Sequence, residues 1–391
     1  MRKRKVLAFL FGIISIVLIY YGLKFAIYYR KVRRLIFLAS YKLKNEVRGK
    51  YFTLTHINNV PIIVLSGHPK YYMQKYAQYF GDVIKIYPLL LPYFFPSPKK
   101  FDEFKNIAKQ NAKFIPRFYL RELRYLSKYS GIKFEDLIYI HTFSDYFNYP
   151  GSFLCSAFVV SKQKSKINKI IIGRNLDYFV PFLKDLTVIH LFKNRGKKYF
   201  SIGFLGVLGI YSGMNEQGIV ISNLLALNPK EKPKPIGIPS SFLYRKILHT
   251  QSTFLDAVKM IKNTYKPFSN NILISDANNS MVIEAFGDKM RIRKFNRGYV
   301  YTTNYILSKD IRGKKHIGKR YRFMNNVAKT KKKLAVDDIK QILDGVAIKY
   351  MTQHSIIFIP EDKKVYFAYG KIPSTREQYV ELDNLFRLFN E

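Results

Sequence analysis

Residues 153–178 read FLCSAFVVSKQKSKINKIIIGRNLDY. Two apolar runs, rich in β-branched and aromatic residues, flank a turn of Lys, Gln, Ser and Asn, which is the pattern of a β-hairpin. The first strand begins at the only cysteine of the chain, Cys155, and the second closes with Gly173, Arg174, Asn175, Leu176 and Asp177. Antiparallel pairing delivers Arg174 and Asp177 next to the start of the first strand. Both charges follow an apolar run, so at least one is drawn inward, where a lone charge is costly and needs a partner.

Working outward from this hairpin, the chain continues in short β-rich runs: TVIHLF, KYFSIGFLGVLGIY, GIVISNLLAL, KMRIRKF and YVYTTNY. NILISDANNSMVIEAF is a hairpin around Asp-Ala-Asn-Asn-Ser, and SIIFIPEDKKVYFAYG is a closing hairpin that turns at Pro360 to Lys363. One amphipathic helix, Ser252 to Lys262, interrupts the strands, with Ser252 or Thr253 placed to cap it. Two more are expected near His316 to Val327 and Val336 to Leu343. Residues 36–150 differ: PRFYLRELRYLSKYSGIKFEDLIYIHTF has helical periodicity punctuated by Pro116 and Gly131. An α-rich prefix therefore meets an α+β body at Cys155.

With 391 residues, 48% hydrophobic and 16% aromatic, the chain can bury a large core, which excludes global disorder. Its 67 Lys and Arg against 26 Asp and Glu give a net charge of +41 and favour anionic partners. The charge is spread thinly, with compact runs only at residues 2–5, 31–34 and 329–333, which argues against a nucleic-acid module. A single cysteine excludes an intrachain disulfide and a cysteine-rich metal site. The seven histidines form no HxxxH or HxH pair, so neither metal nor cofactor is expected. Val6 to Leu23 is an uncharged run of 18 residues between basic flanks. It reads as an uncleaved single-pass membrane anchor, with the body on the extracytoplasmic side. The expected division is an anchor over 1–35, an α-rich pro-segment over 36–154 and a catalytic body over 155–391.

The pairing of Cys155 with Gly173-Arg174-Asn175-Leu176-Asp177 resembles the cysteine-type N-terminal-nucleophile amidases. This group includes choloylglycine hydrolases, penicillin V acylase, acid ceramidase, N-acylethanolamine acid amidase and acyl-CoA:6-aminopenicillanic acid acyltransferase. GMNEQGIVISN, residues 213–223, is similar to the group's turn leading to a strand that carries an asparagine. YTTN, residues 301–304, resembles its Thr-Asn element, and VLSGHPKYYMQKYAQYFGD resembles the first pro-segment helix of the acyltransferase-like branch. The resemblance covers most of residues 55–372. It implies an αββα sandwich of two antiparallel sheets.

The resemblance also implies a chemistry. The chain would cut itself between Leu154 and Cys155, and the freed α-amine would serve the Cys155 thiol as proton acceptor and donor. An α-amine has a pKa of about 7.7 to 8.0, suited to that work, whereas a main-chain amide is not basic. Asp177 would hold the amine and Arg174 would favour the thiolate. Asn304, with Asn223 as a further candidate, would donate amide hydrogens to the oxyanion. Arg320 is a candidate for a family arginine, although a solvated basic face is the simpler expectation for KHIGKRYRFMNN. The implied function is hydrolysis of a linear amide of an N-acylated small molecule or lipid, or transfer of its acyl group. The alternative is an inactive relative serving as a basic, membrane-attached binding protein.

Overall fold

The computed structural model describes residues 28–146, 153–231 and 234–390. The anchor expected at Val6 to Leu23 lies outside the described residues, among which no helix is long and apolar enough to cross a membrane.

Two sheets face each other. The nine-stranded sheet runs β1 (Phe52–Ile57), β2 (Val60–Ser66), β5 (Thr187–Asn194), β6 (Lys197–Phe204), β7 (Ser212–Asn215), β8 (Val220–Leu225), β9 (Lys266–Ser275), β10 (Ser280–Gly287), β11 (Lys289–Arg293). The six-stranded sheet runs β12 (Tyr299–Thr302), β3 (Phe153–Val160), β4 (Ile171–Tyr178), β13 (Thr352–Ile359), β14 (Lys364–Tyr369), β15 (Val380–Leu382). The helices are α1 over 28–44, then α2 (Pro69–Ile84), α3 (Ile86–Leu90), α4 (Pro98–Ala112), α5 (Arg117–Ser130), α6 (Phe134–Tyr146), α7 (Ser240–Thr250), α8 (Phe254–Asn263), α9 (Lys319–Thr330) and α10 (Val336–Gly345).

Strand alternation sorts the side chains into layers. Phe200 on β6 points between the sheets and stacks on Phe358 of β13, while its neighbour Tyr199 points outward to Arg245 of α7. On the far side of the six-stranded sheet, Phe158, Ile171 and Ile357 pack on Met324, Ile339 and Leu343 of α9 and α10. The result is the expected α+β sandwich of two sheets with helices on both outer faces. The glycine of the Gly-Arg-Asn motif has a packing reason. A Cβ at Gly173 would lie 2.6 Å from Ile339, so glycine lets α10 sit close to β4. Asn175 Nδ2 donates to the Leu343 carbonyl at 2.7 Å and ties down the last turn of that helix.

Three features depart from the sequence reading. The prefix is not purely helical: residues 52–66 form the β1–β2 hairpin, which joins the nine-stranded sheet, so the division at residue 154 is one of sequence and not of packing. The nine-stranded sheet is not wholly antiparallel, because β2 runs parallel to β5, Ile62 facing Ile189 and Ser66 facing Lys193. A second helix, α7, precedes the expected one, which is α8 and is capped by the Thr253 side chain. Helix α7 is buried on nearly every side, so it lacks the polar stripe that marks an amphipathic helix.

A buried ion pair joins prefix to body. Arg245 of α7 donates to both carboxylate oxygens of Glu122 on α5, at 2.5 and 2.8 Å, with both side chains fully buried. Tyr72 adds a hydrogen bond to the same carboxylate. Removing one partner strands the other as a buried charge. Glu122→Ala is therefore expected to lower the unfolding free energy by about 3 to 5 kcal/mol. Lys85→Ala, which breaks an exposed pair with Asp82, should change it by less than about 1 kcal/mol. Denaturant titration of the two variants checks the contrast.

Candidate active site

Strand register assembles the site. β3 and β4 pair with Leu154 opposite Asp177, Cys155 opposite Leu176 and Ala157 opposite Arg174. β12 pairs with the other edge of β3, Thr302 opposite Ala157, and the same register continued two residues brings Asn304 alongside Cys155. β13 pairs with β4 and sets Thr352 opposite Asp177 and His354 opposite Leu176.

Cys155 is held at three atoms. Its Sγ lies 3.6 Å from Arg174 Nη2, its backbone N–H donates to Asn304 Oδ1 at 2.7 Å, and its carbonyl accepts from Arg320 Nη1 at 3.1 Å. Burial pushes the thiol up from its ordinary value, outweighing the pull of the Arg174 guanidinium. Arg174 is itself fully buried. Besides the sulfur, it donates to the Asn223 carbonyl at 3.1 Å and to His354 Nε2 at 3.2 Å. Burial and then the Arg174 charge drive His354 well below the usual histidine value, so its ring is neutral and can accept.

Asp177 forms the second half of the cluster. Its carboxylate accepts from Arg320 Nη1 at 2.9 Å and from the Thr352 hydroxyl at 2.6 Å. Burial pushes this carboxyl up to about 6, against the opposing pull of Arg320, Thr352 and Arg174. Arg320 Nη2 also donates to Asn304 Oδ1 at 3.1 Å, so one guanidinium bridges the Cys155 carbonyl, Asp177 and Asn304.

All six candidate residues named from the sequence therefore meet in one place, but two stand differently from expectation. Arg320 is not on a solvated face: it sits at the start of α9 with its side chain 19% exposed, directed into the cluster. Asn304 turns its carbonyl oxygen to the Cys155 nitrogen and donates Nδ2 to the Leu225 carbonyl at 2.8 Å, so its contact with Cys155 is made to the backbone nitrogen. Asn223 brings a second side-chain amide to the cluster. Its Oδ1 accepts from the Tyr244 hydroxyl at 3.1 Å, which fixes the amide and leaves Nδ2 as its free end, while its backbone shares Arg174 with the thiol.

Thr352, His354 and Tyr244 were not singled out from the sequence. Thr352 and His354 open the strand TQHSIIFI, and polar residues heading an apolar strand are a signal of buried partners. Tyr244 carries no such signal, because its position depends on the unforeseen helix α7.

An apolar cavity adjoins the cluster, enclosing with its open mouth some 570 Å³. Cys155 is not in its wall. Three lining residues touch the cluster instead: Tyr178 follows Asp177 on β4, Tyr211 accepts the Asn223 backbone N–H, and Phe204 packs on His354. The other side is prefix, with Tyr87, Leu90, Phe94 and Phe143.

A cysteine near the start of an inner strand of a two-sheet sandwich, with arginine at its sulfur and a separate group at its nitrogen, is the arrangement of the cysteine-type N-terminal-nucleophile class. The model of the acyl-coenzyme A:6-aminopenicillanic acid acyl-transferase family matches residues 162–369, and the chain belongs to that family of enzymes. The match starts after Cys155 and includes Arg174, Asp177, Asn223, Asn304 and Arg320. An uncharacterized protein of Archaeoglobus fulgidus is 20% identical over 219 residues, 50% of this chain and 37% of its own length. The N-acylethanolamine-hydrolyzing acid amidase of Cavia porcellus is 25% identical over 127 residues, 32% of this chain and 34% of its own length. The chain thus spans about a third of the length of these curated relatives. Among solved structures, the Caenorhabditis elegans N-acylethanolamine-hydrolyzing acid amidase ortholog aligns at 19% identity over 58% of this chain and 100% of its own, TM-score 0.44. Conjugated bile acid hydrolase of Clostridium perfringens aligns at 15% identity over 59% and 92%, TM-score 0.43.

If Tyr244 aims the Asn223 amide, Tyr244→Phe should lower kcat about tenfold with KM unchanged, the loss of one hydrogen bond that acts in the transition state. Asn223→Ala should cost about 10² to 10³ in kcat. Steady-state kinetics on an N-acyl substrate read both.

Proposed function

We propose that this chain is a self-cleaving cysteine amidase or acyltransferase that works through a thioester on Cys155, with an N-acylated small molecule or lipid as substrate. The observation that carries the reading is the separate custody of the two Cys155 atoms the chemistry needs: Sγ beside Arg174, and the backbone nitrogen on Asn304 Oδ1.

In the first step the thiol attacks the Leu154 carbonyl. A C–S bond forms, the Leu154–Cys155 C–N bond breaks, and the departing nitrogen takes up a proton to become the α-amine. Water then hydrolyses the thioester, releasing the Leu154 carboxylate and regenerating the thiol. In turnover the α-amine accepts the thiol proton as Sγ attacks the substrate carbonyl, and returns it to the leaving nitrogen. Asn223 Nδ2 steadies the oxyanion, Arg174 favours the thiolate, and Asn304 and Asp177 hold the amine. Water or an acceptor amine finally takes the acyl group. The adjoining apolar cavity suits the acyl chain, and half of its wall belongs to the prefix, so the fragment cut away remains with the enzyme. The acyltransferase family and the relative named for N-acylethanolamine hydrolysis support a linear amide as the bond attacked. Residues 6–23 tether the protein to a bilayer, with the body on the extracytoplasmic side.

Intact mass of the purified protein tests the cut. The expected result is two chains meeting at Leu154 and Cys155 that separate in SDS but co-elute in native buffer, while Cys155→Ala yields one uncut, inactive chain. An uncut wild-type chain with full amidase activity overturns the proposal. The pH profile tests Asp177. Because its carboxyl takes up a proton already near 6, the charge that holds Arg320 is present above that pH and lost below it. kcat/KM should therefore fall as pH drops through about 6, and Asp177→Asn should be slow and lack that limb.

A further inference from the structure

The described residues of α1 include no acidic side chain and divide into two faces. Val32, Ala39 and Leu43 are buried against the body. On the opposite side, Arg30, Arg34, Phe37, Tyr41 and Lys44 follow one another at intervals of three and four, which places them on one stripe of the helix, with Arg33 beside it. Phe37 is 75% exposed and Tyr41 61% exposed. Among the described residues, none of these basic side chains is in an ion pair. Uncompensated cations around exposed aromatic rings are the composition of a helix that lies in the interface of an anionic membrane, where rings enter the headgroup layer and cations meet lipid phosphates.

The position of α1 gives this face a direction. Tyr28 donates to the Leu89 carbonyl at 2.8 Å and packs its ring on Tyr93, which is 65% exposed. Leu90, Leu91 and Phe94, on either side of that contact, line the apolar cavity. The uncharged run Val6 to Leu23 precedes α1 by a few residues of sequence.

We propose that the outward face of α1, together with Tyr93, rests on an anionic lipid bilayer and holds the cavity wall next to the lipid. The docking stands on exposure, charge and position alone. Only the consequence that an acyl chain enters the cavity from the membrane rests on the amidase reading.

The chain contains no tryptophan, so Phe37→Trp installs a single reporter in the full-length protein. Tyr350→Trp, in the turn after α10 on the other helical layer and 71% exposed, is the control. The probe is phosphatidylcholine vesicles with and without phosphatidylglycerol, and flotation verifies that the protein is bound. With anionic vesicles the Phe37→Trp emission should shift to the blue and lose about half its intensity to lipids brominated in their acyl chains, as an interfacial helix requires. The Tyr350→Trp signal should not change. Replacing Arg30, Arg33, Arg34 and Lys44 with Glu in the reporter protein should restore the water-exposed emission. Three outcomes overturn the proposal: reporter emission that stays water-like while the protein floats with anionic vesicles; equal quenching by neutral vesicles; or an emission already blue-shifted without vesicles and accompanied by a doubled mass, which assigns the face to a second copy. Each is read without substrate, so failure here is distinct from failure of the amidase reading.

Discussion

The guanidinium of Arg174 lies fully buried between two sheets, where a lone charge is costly, and both of its terminal nitrogens are met by ligands while Nε has no hydrogen-bond partner among the described residues. Those ligands are the Cys155 sulfur, the Asn223 carbonyl and the neutral ring of His354. They come from β3, β8 and β13, so one charge fixes the approach of three strands in two sheets. The thiol helps to solvate the arginine, and the arginine offsets some of what burial does to the thiol. Asp177 has a parallel role further along β4, where Arg320 and Thr352 meet its carboxylate.

These two clusters meet Cys155 from opposite ends. Arg174 reaches Cys155 from its side-chain end, and Arg320 from its main-chain end, while Asn304 links Arg320 to the nitrogen. Such a division is what the proposed chemistry, which uses both the side chain and the backbone nitrogen of Cys155, would need. The connection from Asn223 to Tyr244 carries the same logic outward into the helical layer, and α7, which holds Tyr244, also bears Arg245 and its ion pair to the prefix. Packing of the prefix and geometry of the site therefore share one helix.

Much of this was legible in the chain because β-hairpins have a period of two and fixed partners. Once 153–178 is read as a hairpin, the vicinity of Cys155, Arg174 and Asp177 follows, and SIIFIPEDKKVYFAYG turns where expected, with Lys363 at φ 55°. What escaped has physical causes. The strands FTLTHI and VPIIVLS are short and lie inside a helical prefix, and nothing local says that a strand will pair in parallel with one more than a hundred residues away. Helix α7 follows a proline-rich stretch and has few exposed residues. Arg320 is one of several basic residues in KHIGKRYRFMNN, and only the turn of α9 decides which of them faces inward. The orientation of an asparagine amide, which differs in its contacts between Asn223 and Asn304, is a matter of hydrogen-bond partners and leaves no trace in spacing.

The parallel contact of β2 with β5 would place the proposed cut between Leu154 and Cys155 in an unusual position with respect to folding. Strand β5 finds its partner before any cut, within a single chain, at a local concentration set by the intervening loop. In the cleaved form proposed above, the same pairing would link two fragments, so that form, once denatured, would have to reassemble by collision, with the long apolar edge of β5 open to any other strand. On that reading folding happens once, in the uncut chain. A body produced from residue 155 onward would skip that step and start life with its sheet already torn.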